Sequence, residues 1–380
     1  MTILKNTHFS SENNSIFWKF ETFVSQWKVP GEHLFGLWLP LLILCTPNAW
    51  AQPWMSWKVP ATLGPADWQA RVYQGIVVVT SPHSNFLYAY SSSGKLMWKR
   101  EMSWPLSQSP QLVEGQLLVQ QPGQPAVLIQ PETGETRQAL PRDHQGWTIP
   151  MDSKSWIQLD PNGQILSANK EWTEWKNLGQ LRLQRGDKWL GPPVLVGSAL
   201  YLATTRGRLQ QVELKSEWRA QALGSQLPRP LLAPVAHPLG VVEVSLNGLL
   251  ALRGAQGSWI KPFPGWNECF SGSGEILARP FVDEAGNIYL ATRHQVGSWD
   301  FNGKLRWRRR LNCSSAVVWK EGGCYLADTS PSILKLDSNT GDTLSKMDLP
   351  AGVASDPSVE KSLLAVVLNN GEVLVRPDLP

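Results

Sequence analysis

The sequence predicts an all-β fold, an eight-bladed β-propeller, with seven blades as the alternative. A strand–turn–strand phrase that ends in Gly and often Trp recurs about every 40 residues, most clearly at residues 86–98 and 297–307, and more loosely at 333–342. No stretch shows a sustained apolar period of 3.6 residues, so no long amphipathic helix is predicted. Short strands at this period are typical of propellers, because one four-stranded blade cannot bury both of its faces alone.

The number of blades comes from the turns between the second and third strands of each repeat. Candidate turns fall near residues 83–85, 122–124, 161–163, 205–207, 247–248, 293–294, 330–331 and 369–371. The step between them is about 41 residues, which is within the range for a four-stranded blade. The segments beside them, such as 76–80 and 199–203, are short and apolar and are bounded by turn residues, as strands are.

The last repeat is incomplete and predicts how the ring closes. Residues 372–376 supply a third strand, and the sequence then ends at Pro380. Residues 54–60 resemble the outer-strand segment 96–100, with a Trp followed by Lys in both. We therefore expect an N-terminal strand to complete the C-terminal blade, which leaves no unpaired edge there.

The N-terminal region predicts export. Residues 34–45 form an apolar run too short to span a membrane, and Ala49-x-Ala51 resembles a signal-peptidase site. We interpret residues 1–51 as a secretory leader and residues 52–380 as one propeller domain. Residues 1–33, which precede the apolar run, are long for the start of a leader and contain three lysines and three glutamates. Cys45 offers a lipidated alternative, although Leu44 stands where a lipoprotein peptidase prefers a small residue.

Charge gives little support to nucleic-acid binding. The formal net charge is +4, and the one basic cluster, residues 306–310, contains four arginines and a Trp. Because a strand alternates its faces, these arginines should divide between two sides of a solvated outer strand. We therefore expect no nucleic-acid partner.

The cysteines outside the leader are Cys269, Cys313 and Cys324, and their spacing gives no support to zinc or covalent haem. Cys269 and Cys313 precede the first strands of consecutive blades, so they should lie in corresponding loops on one rim. An exported protein can form disulfides, and we predict one between these two residues. Cys324 is expected to be a small buried residue in a second strand.

Two repeats carry both a turn glycine and a Trp four residues later, Gly94 with Trp98 and Gly303 with Trp307. Each Trp could lie flat between neighbouring blades, burying roughly 150–250 Å² of its surface. An aromatic carbohydrate-binding surface is the functional alternative, and packing between blades is the interpretation we favour.

Candidate partner-binding residues lie in the turns between second and third strands, since loops on a rigid scaffold usually carry binding. Arg206, Arg208, Arg293 and His294 bring polar, cationic groups to that rim. The alternative is that each is a solvent-exposed turn residue that binds no partner.

The strand–Ala/Asp–turn–Gly–x–x–x–Trp phrase, as in residues 86–98 and 297–307, resembles the repeat of pyrroloquinoline-quinone-type β-propellers. Two branches of that superfamily are relevant. The quinoprotein dehydrogenases bind the quinone and Ca²⁺ and usually carry a vicinal Cys-Cys pair, which this sequence lacks. The non-catalytic branch, represented by the BamB family of outer-membrane assembly proteins, agrees better with length, leader and blade count. This sequence differs from that family in the leader, because the BamB family is lipidated and this sequence lacks a good lipidation site.

The resemblance implies a non-catalytic scaffold that binds a protein partner in the periplasm or cell envelope of a bacterium. No cofactor and no metal are expected. We expect a monomer, and peripheral association with the membrane is open. Two alternatives remain open at this stage. One is a secreted propeller that binds carbohydrate or another small ligand, and the other is a quinone-dependent dehydrogenase or a degenerate relative of one.

Overall fold

The structure, a computed structural model, contains only β-strands, turns and connecting segments in its described part. It describes residues 54–59, 68–81, 84–106, 109–120, 124–140, 146–214, 219–223, 227–230, 232–254, 257–264, 279–361 and 363–377. The leader, Cys45 and Cys269 lie outside these residues, so the predictions made for them stay predictions. Within the described segments, no helix has the length and apolar character that crossing a bilayer would require.

The strands form eight sheets of four antiparallel strands each. Blade 1 contains β2 (Gln69–Tyr73), β3 (Ile76–Thr80), β4 (Phe86–Ser91) and β5 (Leu96–Glu101), and blade 2 contains β6 (Gln111–Val113), β7 (Gln116–Val119), β8 (Val127–Ile129) and β9 (Thr136–Ala139). Blade 3 contains β10 (Trp147–Asp152), β11 (Ser155–Leu159), β12 (Gln164–Asn169) and β13 (Trp175–Gln180), and blade 4 contains β14 (Val194–Val196), β15 (Ala199–Ala203), β16 (Leu209–Glu213) and β17 (Arg219–Ala222).

Blade 5 contains β18 (Val235–His237), β19 (Gly240–Val244), β20 (Leu249–Gly254) and β21 (Gly257–Pro262), and blade 6 contains β22 (Phe281–Val282), β23 (Ile288–Thr292), β24 (Gln295–Trp299) and β25 (Leu305–Arg310). Blade 7 contains β26 (Val318–Lys320), β27 (Gly323–Asp328), β28 (Ser332–Asp337) and β29 (Thr343–Asp348). Blade 8 contains β30 (Ser358–Glu360), β31 (Leu363–Val367), β32 (Glu372–Pro377) and, from the N-terminal end, β1 (Met55–Lys58).

The eight-bladed prediction is confirmed, and the seven-bladed alternative is wrong. Every predicted turn falls between the second and third strands of a blade, including those of the degenerate repeats in blades 2 to 5. First strands of neighbouring blades contact one another, as β2 does with β30 and β18 does with β22. The blades therefore stand side by side in a ring.

The closure prediction is also confirmed. Strand β1 pairs antiparallel with β32, from Met55 opposite Val375 to Lys58 opposite Glu372. The amide of Val59 extends the pairing by donating to the carbonyl of Gly371, 3.0 Å away. Blade 8 is thus assembled from both ends of the described chain.

The core lies between the blades, because the second strand of each blade is buried on both faces along most of its length. All five residues of β3, β15, β19 and β23 are buried. Strands covered on both sides carry continuous apolar runs such as Ile76–Thr80 instead of an alternating pattern. One apolar cluster joins β2, β3 and β4 of blade 1 to β31 and β32 of blade 8, so the closing joint is packed like the others.

Trp98 and Trp307 are buried between blades, with 9% and 7% of their surface exposed. The indole N–H of Trp98 donates to the carbonyl of Pro131 in blade 2, 2.7 Å away. That of Trp307 donates to the carbonyl of Ser338 in blade 7, 2.9 Å away. Both rings are therefore part of the packing between blades and are not presented as a surface for carbohydrate.

Each docked Trp lies on the turn glycine of the next blade, not on the glycine four residues before it. A Cβ placed on Gly134 would lie 2.7 Å from the Trp98 ring, and one on Gly341 would lie 2.5 Å from the Trp307 ring. Gly94 receives Trp57 of blade 8, and Gly303 receives Trp259 of blade 5. Trp57 and Trp259 extend the motif to two joints where the sequence did not reveal it.

The antiparallel order gives the ring two rims. One, which we call the turn rim, carries the eight turns between second and third strands together with the connectors that follow each outer strand. The opposite rim carries the turns between first and second and between third and fourth strands. All four candidate partner-binding residues belong to the turn rim.

Candidate partner-binding rim

Arg206 and Arg208 lie in the turn of blade 4, between β15 and β16. Arg206 is exposed and Arg208 is half-buried. The amide of Arg208 donates to Thr204 Oγ1, and the amide of Gly207 donates to the carbonyl of Thr204. Gly207 has a φ of 81°, a left-handed conformation that suits glycine. The local hydrogen bonds therefore fix the backbone of the turn that carries both arginines.

Asp187 anchors this turn to the connector that comes from blade 3. Its Oδ1 accepts hydrogen bonds from Thr205 Oγ1 at 2.9 Å, the Lys188 amide at 3.0 Å and the Arg206 amide at 3.2 Å. Burial raises the pKa of the Asp187 carboxyl, but hydrogen bonds from Thr204, Thr205 and two backbone amides outweigh burial and leave the pKa below its ordinary value. The carboxylate is therefore charged at neutral pH and is engaged inside the turn.

Arg293 and His294 form the two-residue turn of blade 6, between β23 and β24. Arg293 is exposed and His294 is half-buried. The Nδ1 of His294 lies 3.3 Å from Asn312 Oδ1, and the carbonyls of both residues accept amides from the following connector. This turn is also held by hydrogen bonds to the connector that follows its blade.

The structure does not bring the two predicted pairs together. The turn of blade 5, with Leu246 and Gly248, stands between them. Arg206 and Arg208 therefore belong to one sector of the turn rim, and Arg293 and His294 to another.

Four exposed cations beside the blade 4 turn were missed by the sequence reasoning: Arg182, Arg185, Lys188 and Arg229. The first three lie in the connector between β13 and β14, and the fourth lies in the connector between β17 and β18. An outer strand always ends at the turn rim in this topology, so the connector after it must cross that rim. That rule could have revealed them, whereas a search confined to the turns could not.

The arginines of the basic run at residues 306–310 divide between two sides, as expected, but not in strict alternation, because the pairing of β24 with β25 shifts register beside Arg306. Arg306 and Arg309 reach towards blade 7, where they donate to Asn339 Oδ1 at 2.9 Å and to Asp342 Oδ1 at 2.7 Å. Arg308 and Arg310 are exposed. Half of the run therefore binds the neighbouring blade, and it offers no single cationic groove.

Cys324 lies fully buried in β27, the second strand of blade 7, as expected. Burial raises the pKa of its thiol well above the ordinary value. Cys313 is buried at the start of the connector to β26, where its sulfur lies 3.6 Å from the carbonyl oxygen of Leu311. The predicted pairing of Cys313 with Cys269 stays a prediction.

Among the described residues, no three His, Cys, Asp or Glu side chains are grouped as ligands of one metal ion would be.

The sequence matches no protein-family model and no curated protein sequence. Its fold is shared by solved structures at low identity. BamB from Moraxella catarrhalis is 13% identical with a TM-score of 0.57, and the alignment covers 84% of this chain and 97% of BamB. The computationally designed Ika8 protein is 12% identical with a TM-score of 0.59, covering 82% and 96%. Sqt1 of Saccharomyces cerevisiae is 12% identical with a TM-score of 0.55, covering 83% and 95%. These likenesses show the fold alone.

Proposed function

We propose that this chain is a non-catalytic, exported β-propeller scaffold that binds a protein partner in the cell envelope through its turn rim. The observation that carries the proposal is the rim itself. Exposed Arg206 and Arg293 stand on turns whose backbones are held by hydrogen bonds to neighbouring connectors. Side chains on firmly held loops lose less conformational freedom on binding than side chains on mobile ones.

The ring is compatible with this role because most of its apolar residues pack between blades. Tryptophans of four outer strands pack on the next blade, and the second strands of the blades are largely buried on both faces. What remains available to a large partner is the rims and the outer strands. Around blade 4 the described residues of the turn rim expose Arg182, Arg185, Lys188, Arg206 and Arg229.

Export rests on the sequence, with the apolar run at residues 34–45 and the Ala49-x-Ala51 site after it. The Gly–Trp repeat resembles pyrroloquinoline-quinone-type propellers, and BamB is among the proteins that share the fold. We assign the chain to the non-catalytic side of that resemblance.

Chemical crosslinking in the native cell, followed by mass spectrometry of crosslinked peptides, tests the proposal. We expect a discrete envelope protein joined to turn-rim peptides, and a mature N-terminus at Gln52. A chain that keeps residues 1–51 and stays in the cytoplasm would contradict export. Absence of any protein partner under conditions that crosslink a known envelope complex would contradict the scaffold role.

The catalytic alternative has its own test. The purified protein is titrated with pyrroloquinoline quinone and Ca²⁺ while Trp fluorescence is recorded, and oxidation of alcohols and sugars is then assayed with a redox dye. We expect no saturable quinone binding and no turnover. Micromolar binding with turnover would replace the scaffold by a dehydrogenase.

A further inference from the structure

Six cations lie together on the turn rim around blade 4, and we call them the cationic sector: Arg182, Arg185, Lys188, Arg206, Arg208 and Arg229. They come from three separate segments of the chain: the connector before β14, the turn between β15 and β16, and the connector before β18. The sector was not visible in the sequence because these segments are up to 47 residues apart.

Backbone hydrogen bonds hold the three segments side by side. The amide of Thr205 donates to the carbonyl of Lys188 at 2.8 Å, which joins the first connector to the turn. The amide of Leu227 donates to the carbonyl of Gly207 at 3.0 Å, which joins the turn to the second connector. The three segments that carry the six cations therefore lie side by side on the turn rim.

Few negative charges accompany them. The described residues of these segments and of the adjoining blade 3 turn contain two carboxylates, Asp160 and Asp187. Oδ1 of Asp160 accepts the amide of Gln164 in its own turn at 2.7 Å, and Asp187 is held in the blade 4 turn. With six cations against two carboxylates, the sector carries as much net positive charge as the whole chain, whose formal charge is +4.

Arg229 is held in a backbone conformation that an arginine rarely adopts. Its φ is 47°, it stands between Pro228 and Pro230, and its carbonyl accepts the amide of Leu246 at 2.8 Å. A non-glycine residue adopts the left-handed region only at a cost in conformational free energy. Glycine or asparagine would adopt this backbone conformation at a lower cost than arginine does. The backbone therefore does not explain the arginine at this position, and its cationic side chain does.

The chemistry of the sector favours carboxylates on a protein. Five of its six cations are arginines, whose planar guanidinium groups bind carboxylates in a bidentate manner. Single-stranded nucleic acid is usually held with stacking aromatic residues, and the described residues of the three segments expose none, since Trp189 is buried. Binding to a bilayer surface usually adds several large apolar side chains to the charge; the described residues of the three segments expose none, and the adjoining blade 5 turn exposes Leu246.

We propose that the cationic sector docks an acidic segment of the protein partner. The proposal rests on the proposed function and names the chemistry of the partner. Arg185, Lys188 and Arg229 would pair with carboxylates along the segment. The sector should also attract the partner from a distance, with an effect that falls as salt is added.

The test measures binding of a fluorescein-labelled decapeptide of alternating Glu and Ser by fluorescence anisotropy in 50 mM salt. The purified protein is compared with Arg185→Gln/Arg229→Asn and with a control, Lys95→Gln/Lys304→Gln, which removes two exposed charges from the opposite rim. Asn tolerates positive φ, so the first variant should melt at the same temperature as the parent or higher.

We expect the sector variant to bind the peptide about tenfold more weakly and the control to stay within about twofold, a tenfold change being 1.4 kcal/mol. Absence of peptide binding, or equal losses in the two variants, would overturn the proposal. It would also fail if a six-nucleotide single strand or phosphatidylglycerol vesicles bound through Arg185 and Arg229 and the peptide did not. In any of these cases a crosslinked partner in the cell would still leave the scaffold role standing.

Discussion

At the residue scale, Glu243 and Arg253 form a buried ion pair that joins two blades. Their side chains are 0% and 3% exposed, and Arg253 Nε lies 2.5 Å from Glu243 Oε2. The guanidinium also donates to the carbonyls of Leu223 at 3.2 Å and Gly207 at 3.3 Å, both in blade 4. Burial raises the pKa of the Glu243 carboxyl, and Arg253 opposes that rise. The pair thus supports Gly207, beneath the cationic sector.

Replacing Arg253 alone should be costly. Arg253→Met leaves the Glu243 carboxylate buried without its partner, and we expect a loss of about 3–5 kcal/mol in the free energy of unfolding at pH 7. The loss should be smaller at pH 5, because protonation of Glu243 removes the buried charge. Urea denaturation at the two pH values measures both effects.

The double variant Glu243→Leu/Arg253→Met is the matched control, since it removes both charges. It should recover most of the stability lost by Arg253→Met. A double variant as unstable as the single one would mean that the loss comes from the contacts of Arg253 with Leu223 and Gly207 and not from the unpaired charge.

His237 is a second buried titratable residue at a joint, between blades 5 and 6. Its Nδ1 accepts the amide of Leu239 at 3.0 Å, so its Nε2 carries the proton and donates to the carbonyl of Gly286 at 2.9 Å. Burial lowers the pKa of this imidazole. The neutral ring therefore uses both nitrogens, and a second proton would remove the acceptor for Leu239.

Stability should fall as pH drops through the ordinary histidine range. Because the pKa of His237 is lower in the folded protein than in the unfolded chain, the unfolded chain binds more protons below about pH 6.5. The destabilisation begins there and levels off below the folded pKa. Thermal melts of the parent and His237→Gln between pH 7.5 and 5.0 measure it. Equal pH dependence in the two proteins would assign the effect to other groups.

At the element scale, the tryptophan joint is the repeated unit of the ring. The outer strand of blades 1, 5, 6 and 8 places an indole on the turn glycine of the next blade. In blade 2 a glutamine takes the corresponding position, and Gln138 Nε2 donates to the carbonyl of Lys170 at 3.2 Å. A donor to the next blade is therefore kept in blades 1, 2, 5 and 6, whereas the buried indole N–H of Trp57 in blade 8 has no hydrogen-bond partner among the described residues.

The sequence predicted the elements well and the joints only partly. Turns such as 161–163 and 369–371 carry Asn, Gly and Pro, whose local conformations are readable without tertiary contacts. Which glycine receives which Trp depends on residues in different blades, 36 positions apart for Trp98 and Gly134. The cationic sector was missed for a similar reason, since connectors have no periodicity and only the ring brings them together.

Adding a methyl group to a turn glycine that contacts a tryptophan of the preceding blade should destabilise the ring. In Gly341→Ala the new methyl group would lie 2.5 Å from the Trp307 ring, and φ is 76°. Gly371→Ala is the matched control, with φ of 75° and no atom within 4 Å of the new carbon. Both variants should lose about 1 kcal/mol for the left-handed backbone, and Gly341→Ala about 1–3 kcal/mol more for the overpacking.

Chemical denaturation of the two variants gives the comparison. A larger loss for Gly341→Ala is the expected result. Equal losses would show that the Trp307 ring moves aside at little cost, so that the joint tolerates repacking.

At the scale of the whole molecule, the ring depends on one short strand. Strand β1 has four residues, and it alone covers the outer edge of β32 in the described part of blade 8. Trp57 on this strand also packs on Gly94 of blade 1, with the ring centroids of Trp57 and Tyr90 5.1 Å apart. The same segment therefore completes one blade and joins it to the next.

Removing β1 should open the ring. A chain that starts at residue 62 exposes the edge of β32 and loses Trp57 from the joint, so we expect a large fall in melting temperature and aggregation through the free edge. Trp57→Ala in the full chain is the milder comparison; because Trp57 is half-buried, we expect a loss below the roughly 3–5 kcal/mol typical of a fully buried Trp. A truncated protein that melts with the full one would show that the ring closes without β1.

The central claim is that the turn rim, and not the opposite rim, binds a protein partner. Site-specific photo-crosslinking in the native cell tests it most directly, with the photoreactive residue placed at Lys188, Arg229 or Arg293 on the turn rim and at Lys95 or Lys304 on the opposite one. All five side chains are exposed, so reactivity should not depend on burial. We predict one discrete protein adduct from Lys188 and Arg229 and none from Lys95 and Lys304. Adducts confined to the opposite rim, or none from any of the five positions, would contradict the account.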